Sequence, residues 1–360
     1  MDLSLPTAPV RTASVAIFDK GHVNLEEIVL PPRNDGEIDV AISTAAICGS
    51  DLHTVLGHRE SPARSTLGHE GVGQVLDLDP GTVDLRGLPL SVGDRVVFAL
   101  FSACRDCDRC DAGLEMKCRS LVKYGHESVS VPPYATGTLA DNLRLLPGVP
   151  VVKVDTDLDD VTVVSAGCAV ATAAAVVSAA GPVAANTRAL VLGAGAVGAY
   201  CIAMLASLGC AVDVRDPSAP RVELAERLGA SHPQSIDGSY DIVVEASGNP
   251  IAVQEAVSAA DVGGRIVAAG SVSPGHSTVT IDPAEVVTRR LSIIGVHNYR
   301  AEDLLRGIDW LQEHGRHLPL DRLVSPPLGL RDVREGFELM REARFPRVLI
   351  QPDNRGQGVT

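Results

Sequence analysis

Four cysteines fall within 15 residues, Cys104, Cys107, Cys110 and Cys118, in the pattern C-x2-C-x2-C-x7-C. Thiolates hold zinc as a tetrahedron with Zn–S about 2.3 Å, and two-residue spacers let one tight loop bring three sulfurs to one ion. The residues between them, Arg105, Asp106, Asp108, Arg109 and Asp111, are polar and put the loop at the surface. Four thiolates leave no open coordination position, so such a site is structural. An iron–sulfur cluster and free thiols are the alternatives. The ferredoxin-type run has a different fourth gap and is commonly followed by Pro, where this chain has Arg119.

A second set of special residues is Gly193-Ala194-Gly195-Ala196-Val197-Gly198, which follows the apolar run Leu190–Leu192 and opens a helical pattern. G-x-G-x-x-G alone is a weak signal, but strand before and helix after are the context the dinucleotide fingerprint requires. Gly193 permits the tight turn, Gly195 lets backbone approach a pyrophosphate, and Gly198 lets helix and strand pack closely. The helix N-terminus then turns its free N–H groups to the phosphates. The next strand pattern, CAVDVRD, ends at Asp216. A carboxylate there accepts from a ribose 2′-OH and repels a 2′-phosphate, which favours NAD over NADP. Arg215 and Arg221 stand close enough in sequence to blunt that preference, and a helix cap before Pro217-Ser218 is the alternative role for Asp216.

The elements that must position these groups differ between the two parts of the chain. Residues from about 12 to 150 read as short strands broken by Gly, Pro and Asp, for example EIDVAIS (37–43), GVGQVLDL (71–78) and DRVVFAL (94–100). After about residue 155, strands alternate with helical patterns as far as LSIIGVHN (291–298), which argues for a parallel sheet of βαβ units. Two helical patterns and the strand PRVLIQP close the chain and are too few for a domain of their own. The expected division is 1–160, 161–297, and a segment 298–360 that returns to the first domain.

Composition narrows the class. The chain has 360 residues, 45% apolar and 21% charged, with a formal net charge of −14. That is ordinary for a globular protein, and the acidity argues against nucleic acid and anionic membrane surfaces as partners. The N-terminal stretch lacks the basic and apolar regions of a secretory signal, so a cytoplasmic protein is expected. Residues 161–180 carry no charge and meet the length criterion for a membrane span. They are mostly Ala, Val, Ser, Thr and Gly without Lys or Arg flanks, so a buried helix is the expectation.

Three further segments carry metal-ligand residue types: CGSDLH (48–53) with Cys48, LGHEGVG (67–73) with His69, and SAGCAVAT (165–172) with Cys168. Each alone is weak, since a lone Cys is more often a small buried hydrophobe. Together with the four-cysteine loop, the glycine turn, GDRV (93–96) and PRVLI (346–350), they resemble the zinc-dependent medium-chain alcohol dehydrogenases over nearly the whole chain. The resemblance implies an α/β architecture: a GroES-like β-rich catalytic domain with an inserted Rossmann domain, a doubly wound parallel sheet. It implies two zinc ions per chain, NAD, and a homodimer or homotetramer. It places a catalytic zinc on Cys48, His69 and Cys168 with one position open to water or substrate. Ser50 takes the alcohol proton, His53 passes it to solvent through the cofactor ribose, Asp51 orients the zinc histidine, and Glu70 lies beside the metal. Arg221 and Arg347 belong near the adenosine ribose and pyrophosphate, and Thr172 near the nicotinamide. The chain departs from the family in the long acidic segment Val75–Leu90, which reads as a surface-loop insertion.

The implied reaction is reversible hydride transfer between an alcohol carbon and the nicotinamide. A polyol or aminocyclitol dehydrogenase is the alternative within the class. Polyol enzymes often have Glu or Asp as third ligand, and Cys168 leans against them. A non-catalytic zinc-stabilised nucleotide-binding protein and a zinc-stabilised interaction module are alternatives of other classes, which intact Cys48, His69, Ser50 and His53 oppose. Arg59, Lys123 and His126 lie in the two segments that flank the substrate mouth in the family. These groups suit a small anionic or strongly polar alcohol. The alternative is that these residues are simply solvated or form ion pairs with Glu60, Glu127 and the acidic loops. The stretch Lys123-Tyr124-Gly125-His126-Glu127 resembles a phosphonate-metabolism branch of the family, which makes a hydroxyalkyl phosphonate a candidate substrate.

Overall fold

A computed structural model describes residues 11–272 and 278–352. The chain forms two compact units, Met1–Val164 with Ser325–Thr360, and Ser165–Val324.

The first unit begins with ten strands: β1 (Arg11–Asp19), β2 (His22–Leu30), β3 (Ile38–Ile47), β4 (Ser65–Thr66), β5 (Glu70–Asp77), β6 (Arg95–Phe98), β7 (Phe101–Ser102), β8 (Val122–Lys123), β9 (Asn142–Leu145) and β10 (Val151–Lys153). Among them lie the short helices α1 (Gly49–Val55), α2 (Asp108–Asp111) and α3 (Asp160–Val163). β3 is central. It pairs antiparallel with β5 and with β9, and the register sets Ala46 opposite Glu70. Its residues are buried along almost the whole length because both faces are covered. Val40, Ile42, Phe98, Leu139 and Leu143 fill the interior. The segment expected as an inserted loop, Val75–Leu90, is part of β5 as far as Asp77. The remainder is a turn closed by a bridge between Val83 and Pro89 and tied down by Arg33, whose Nη2 lies 2.7 Å from Asp79.

The second unit opens on a π-helical turn, Ala166–Val170, which runs into α4 (Ala171–Ala179). From Asp160 to Ala179 the chain is helical and apolar enough to span a membrane by length and composition, yet its residues are mostly buried, as expected of a core helix. There follow β11 (Arg188–Leu192), α5 (Ala196–Ser207), β12 (Ala211–Arg215), α6 (Ala219–Arg227), β13 (Ala230–Ser231), β14 (Tyr240–Glu245), α7 (Pro250–Ala259), β15 (Ala260–Ala268), α8 (Pro283–Thr288), β16 (Ser292–Gly295) and α9 (Ala301–His314). The strands are parallel in the order β13-β12-β11-β14-β15-β16. β11 is flanked by β12 on one side and β14 on the other, so the winding reverses beside it. Ligands of open parallel sheets bind at such a point, outside the carboxyl ends of the strands.

α9 corrects the expected return of the chain at residue 298. Its buried residues Leu304, Gly307, Ile308 and Leu311 recur at i, i+3, i+4 and i+7, one face of a helix. That face lies on the π-helical turn and α4, so closely that a Cβ on Gly307 would come within 2.9 Å of Val170. The helix therefore stays with the second unit, and the chain rejoins the first at Ser325. There β17 (Leu328–Gly329), α10 (Val333–Arg341) and β18 (Val348–Gln351) complete the sheet. β18 lies between β3 and β17, with Val348 opposite Ile47.

Candidate active site and metal centres

Strand register brings the first cluster together. Ala46 faces Glu70 on β5, and Ile47 faces Val348 on β18. The residues just past these strand ends are Cys48, His69 and Arg347. Three adjacent antiparallel strands thus deliver groups distant in sequence to one edge of the sheet. Cys48 Sγ lies 3.0 Å from His69 Nε2, and one ligand-capable atom each of Cys48, His69 and Glu70 lies within 4.8 Å of the others. Ser50 joins them through the first turn of α1. Its hydroxyl is 3.0 Å from Cys48 Sγ and 3.2 Å from His69 Nε2. A soft thiolate and an imidazole converging inside the fold, both 2% exposed, are the donor chemistry of a zinc site.

Asp51 is fully buried and positions both ligands, though not by the route expected. Its Oδ1 is 3.6 Å from His69 Nδ1, too far for a hydrogen bond. Instead it accepts from the backbone N–H of Cys48 at 3.0 Å and of Gly68 at 2.9 Å. It therefore ties the ligand-bearing segments to each other through the main chain. Burial, with the Cys48 sulfur next, pushes its carboxyl up to about 7. For His69, burial lowers the imidazole value, but Cys48 and Asp51 outweigh it and the net result is a rise to about 9. A buried polar group with so little water draws its protonation from its immediate partners.

Glu70 and Arg347 form a buried pair, Nε to Oε1 at 2.8 Å. The expectation for Arg347 was a cofactor phosphate. In the fold its Nε is spent on Glu70 and Nη1 donates to its own neighbour, the Pro346 carbonyl. The two residues stand 277 apart in sequence, and only the strand order could have revealed the pair.

On the other side of His69 stands the ring of His126, centroid to centroid 5.3 Å and tilted 30°. Gly125 makes this possible, because a Cβ there would overlap the Gly68 carbonyl. Burial, then the charges of His69, Lys123 and Arg59, hold His126 well below the ordinary imidazole value. The neutral ring accepts at Nε2 from Arg59 Nη1, 3.3 Å away. Arg59 forms no ion pair with a carboxylate among the described residues, so the ion pairs weighed for it are not made. Lys123 lies at the end of β8, and its backbone N–H donates to Glu127. His53, in the last turn of α1, has its Nδ1 3.4 Å from that of His58.

In the cysteine loop, Cys107 lies 3.6 Å from Cys110 and 4.0 Å from Cys118, and Cys118 lies 3.4 Å from Cys104. A zinc–thiolate tetrahedron has S···S edges of about 3.8 Å, and these distances bracket it. Backbone N–H groups of Cys104 and Ser120 donate to Cys118. The Arg119 N–H, first among the causes, lowers the Cys107 thiol to about 6, while a hydrogen bond with Asp106 raises Cys104 and burial raises Cys110.

The second unit holds Cys168 in the π-helical turn, an insertion frequent at functional sites. The Tyr299 hydroxyl donates to the Gly167 carbonyl and pins that turn, a support that no local motif announced. Thr172 lies half-buried on α4. Gly193 has φ +99, and a Cβ on Gly198 would overlap the Gly193 carbonyl. Strand, turn and helix thus pack as the fingerprint requires. Asp216 has two tasks. Its Oδ2 accepts from Ala194 N at 2.8 Å and its Oδ1 from Ser218 N at 2.9 Å, while Arg221 approaches Oδ2 at 3.8 Å. The carboxylate thus supports the glycine turn and holds the backbone of Ser218, the N-cap residue of α6.

Known proteins align with this arrangement end to end. Residues 34–156 match the alcohol dehydrogenase GroES-like domain and residues 196–313 the zinc-binding dehydrogenase domain. The L-threonine 3-dehydrogenase of Streptomyces avermitilis is 28% identical over 91% of this chain and 95% of its own length. The NDMA-dependent alcohol dehydrogenase of Amycolatopsis methanolica is 28% identical over 95% and 99%. Among solved structures, an alcohol dehydrogenase from Thermotoga maritima superposes with a TM-score of 0.89 at 24% identity, covering 95% of this chain and all of the other. One from Thermus sp. ATN1 gives 0.83 at 27% identity over 94% and 99%. With both domains matched in order, and ligand-bearing residues converging where a zinc ion fits them, the chain belongs to the zinc-dependent medium-chain alcohol dehydrogenase family.

Proposed function

We propose that this oxidoreductase interconverts a small polar or anionic alcohol and its carbonyl product, with NAD as hydride acceptor and a zinc ion on Cys48, His69 and Cys168. The observation that carries the reading is the convergence of Cys48 Sγ, His69 Nε2 and Ser50 Oγ. When bound, zinc supplies Lewis-acid polarisation of a substrate oxygen, and the nicotinamide carries the hydride. Ser50, set against both ligand atoms, accepts the hydroxyl proton of the substrate as its own proton passes on toward His53. His53, three residues on, hands that proton to water. Burial of part of its ring, then His58, holds its imidazole below the ordinary value, which keeps it neutral and ready to accept. Asp51 fixes the backbone on which Cys48 and His69 ride. NADH formation from a panel of alcohols tests the reaction itself, and absence of any turnover by zinc-loaded protein would end the proposal.

Asp216 supports NAD over NADP. Its side chain is 4% exposed, and a 2′-phosphate brought beside it would set its charge against a buried carboxylate already held by Ala194 N and Ser218 N, with Arg221 3.8 Å away. We expect kcat/KM to be at least tenfold higher with NAD, about 1.4 kcal/mol. Asp216→Ala should narrow that gap, and equal efficiency of the two cofactors in the wild type would refute the assignment.

The substrate class rests on Arg59 and His126. A guanidinium with no carboxylate partner among the described residues, bonded to a neutral imidazole tilted against His69, suits an anionic or strongly polar substituent close to the reacting carbon. The recurring relatives named L-threonine 3-dehydrogenase act, by that name, on a small charged alcohol, which supports the same class. Hydroxyethylphosphonate, threonine, a sugar alcohol and a plain primary alcohol of similar size should be compared. Arg59→Ala is expected to raise KM for the anionic substrate by about tenfold, the loss of one charge-assisted bond. The KM of the plain alcohol should stay unchanged. Turnover of the plain alcohol alone would exclude the charged class.

A further inference from the structure

Glu245 closes β14 and is fully buried. It sits across from Leu192 on β11 and from Ala268 on β15. It therefore stands at the carboxyl ends of three adjacent parallel strands, directly beside the glycine turn. One oxygen of its carboxylate, Oε1, accepts three bonds: Ser247 N at 2.8 Å, Ser247 Oγ at 2.8 Å and Gly248 N at 2.7 Å. The other, Oε2, is buried and has no hydrogen-bond partner among the described residues. Burying a carboxylate oxygen unpaired is costly. The bonds that offset the cost are all made by Oε1.

What it holds is a wedge. All three bonds go to the turn 246–248. A Cβ on Gly193 would lie 2.8 Å from Ser247 N and Cα. On its other side the turn meets the end of β15: a Cβ on Gly270 would lie 2.7 Å from Ser247 N, and one on Gly248 2.7 Å from the Gly270 carbonyl. Backbone bonds from Ala246 N to the Leu192 carbonyl and from Gly270 N to the Glu245 carbonyl complete the contact. The turn is thus clamped between the glycine turn that receives the pyrophosphate and the loop after β15, with no space for it to shift.

We propose that Glu245 is a positioning residue of the dinucleotide site, a buried clamp that sets the shape of the Gly193 turn through Ser247 and Gly248. The proposal rests on the reading of the second unit as the dinucleotide-binding unit. Glu245 touches neither cofactor nor substrate, so its loss acts on cofactor affinity. The test is equilibrium binding of NADH, followed by its fluorescence, and steady-state kinetics, on the zinc-loaded full chain. Glu245→Gln keeps the side-chain shape and removes the charge that strengthens the three bonds. We expect NADH Kd and NAD KM to rise about tenfold or more, with kcat at saturating NAD changed by less than about threefold. Ser247→Ala, at an exposed position, removes one of the three bonds and should raise Kd by about threefold. Should Glu245→Gln fail to fold, Ser247→Ala decides alone. A lower melting temperature with unchanged NADH affinity in these variants would reduce Glu245 to a purely structural residue and overturn the proposal. Failure of the wild type to bind NADH would sink the dinucleotide reading along with it.

Discussion

Cys48→Ser should abolish alcohol oxidation, with a loss on the order of a thousandfold or more, while the melting temperature moves by no more than a few degrees. The size follows from what the residue supplies. Polarisation of a substrate oxygen by a bound zinc ion contributes several kcal/mol of transition-state stabilisation, and each factor of ten in rate is about 1.4 kcal/mol. A serine hydroxyl at this position does not bind zinc as a thiolate does. The fold should survive because the loop bearing Cys48 is tied down independently. Asp51 accepts from its backbone N–H, β3 pairs with β18 up to Ile47 and with β5 up to Ala46, and Glu70 is neutralised by Arg347. Elemental analysis should find two zinc ions in the wild type and one in the variant. A variant with substantial turnover, or a wild type holding a single zinc, would overturn the assignment of this cluster.

Cys107→Ser should give the opposite pattern. Zinc bound by four thiolates contributes folding energy directly, since the site does not exist in the unfolded chain. Besides the sulfurs, the loop between Ser102 and Val122 is held by buried Ala103 and Met116 and by the exposed Arg119–Asp108 pair, while α2 is a single turn with no buried residue and Cys104 is exposed. Losing about 4 kcal/mol from a unit of this size lowers the melting temperature by about 10 °C. The zinc count again falls to one, and kcat of freshly prepared enzyme stays near the wild-type value. Chelator treatment of the wild type should reproduce the lower melting temperature. If Cys107→Ser instead lost activity with unchanged thermal stability, the two metal roles would have to be exchanged.

What could be read in the residues alone was whatever is local. The four cysteines span one loop, and a few bond rotations decide whether their sulfurs meet. The glycine turn follows its strand directly, so its geometry is contained in six residues. Both readings needed no knowledge of topology. The Cys48–His69 cluster was visible only through resemblance, because its assembly depends on the antiparallel register of β3 against β5. Glu70 and Arg347 were named singly, yet their pairing is set by β18 entering beside β3, an event of long sequence separation. Asp51 was assigned to the imidazole of His69, but its oxygens went to backbone N–H groups, whose position depends on the folded loop. The boundary at 298 failed for a similar reason. A helix pattern shows which face is apolar, and it does not show that α4, rich in alanine, offers the surface on which that face closes. Glu245 carries no motif at all. Its significance comes from three bonds to one turn and from the glycines that turn wedges apart.

The place of β18 has a consequence for how the protein is made. The strand that fills the position between β3 and β17 is made after the whole of the second unit. Until then β3 presents Ala45, Ala46 and Ile47 as an unpaired edge, the kind of surface that invites pairing with another chain. The second unit ends at Val324 and β18 begins at Val348, so the unit is complete shortly before that strand. Chains halted between residues 324 and 348 should therefore carry residues 165–324 complete while that edge of β3 stays open.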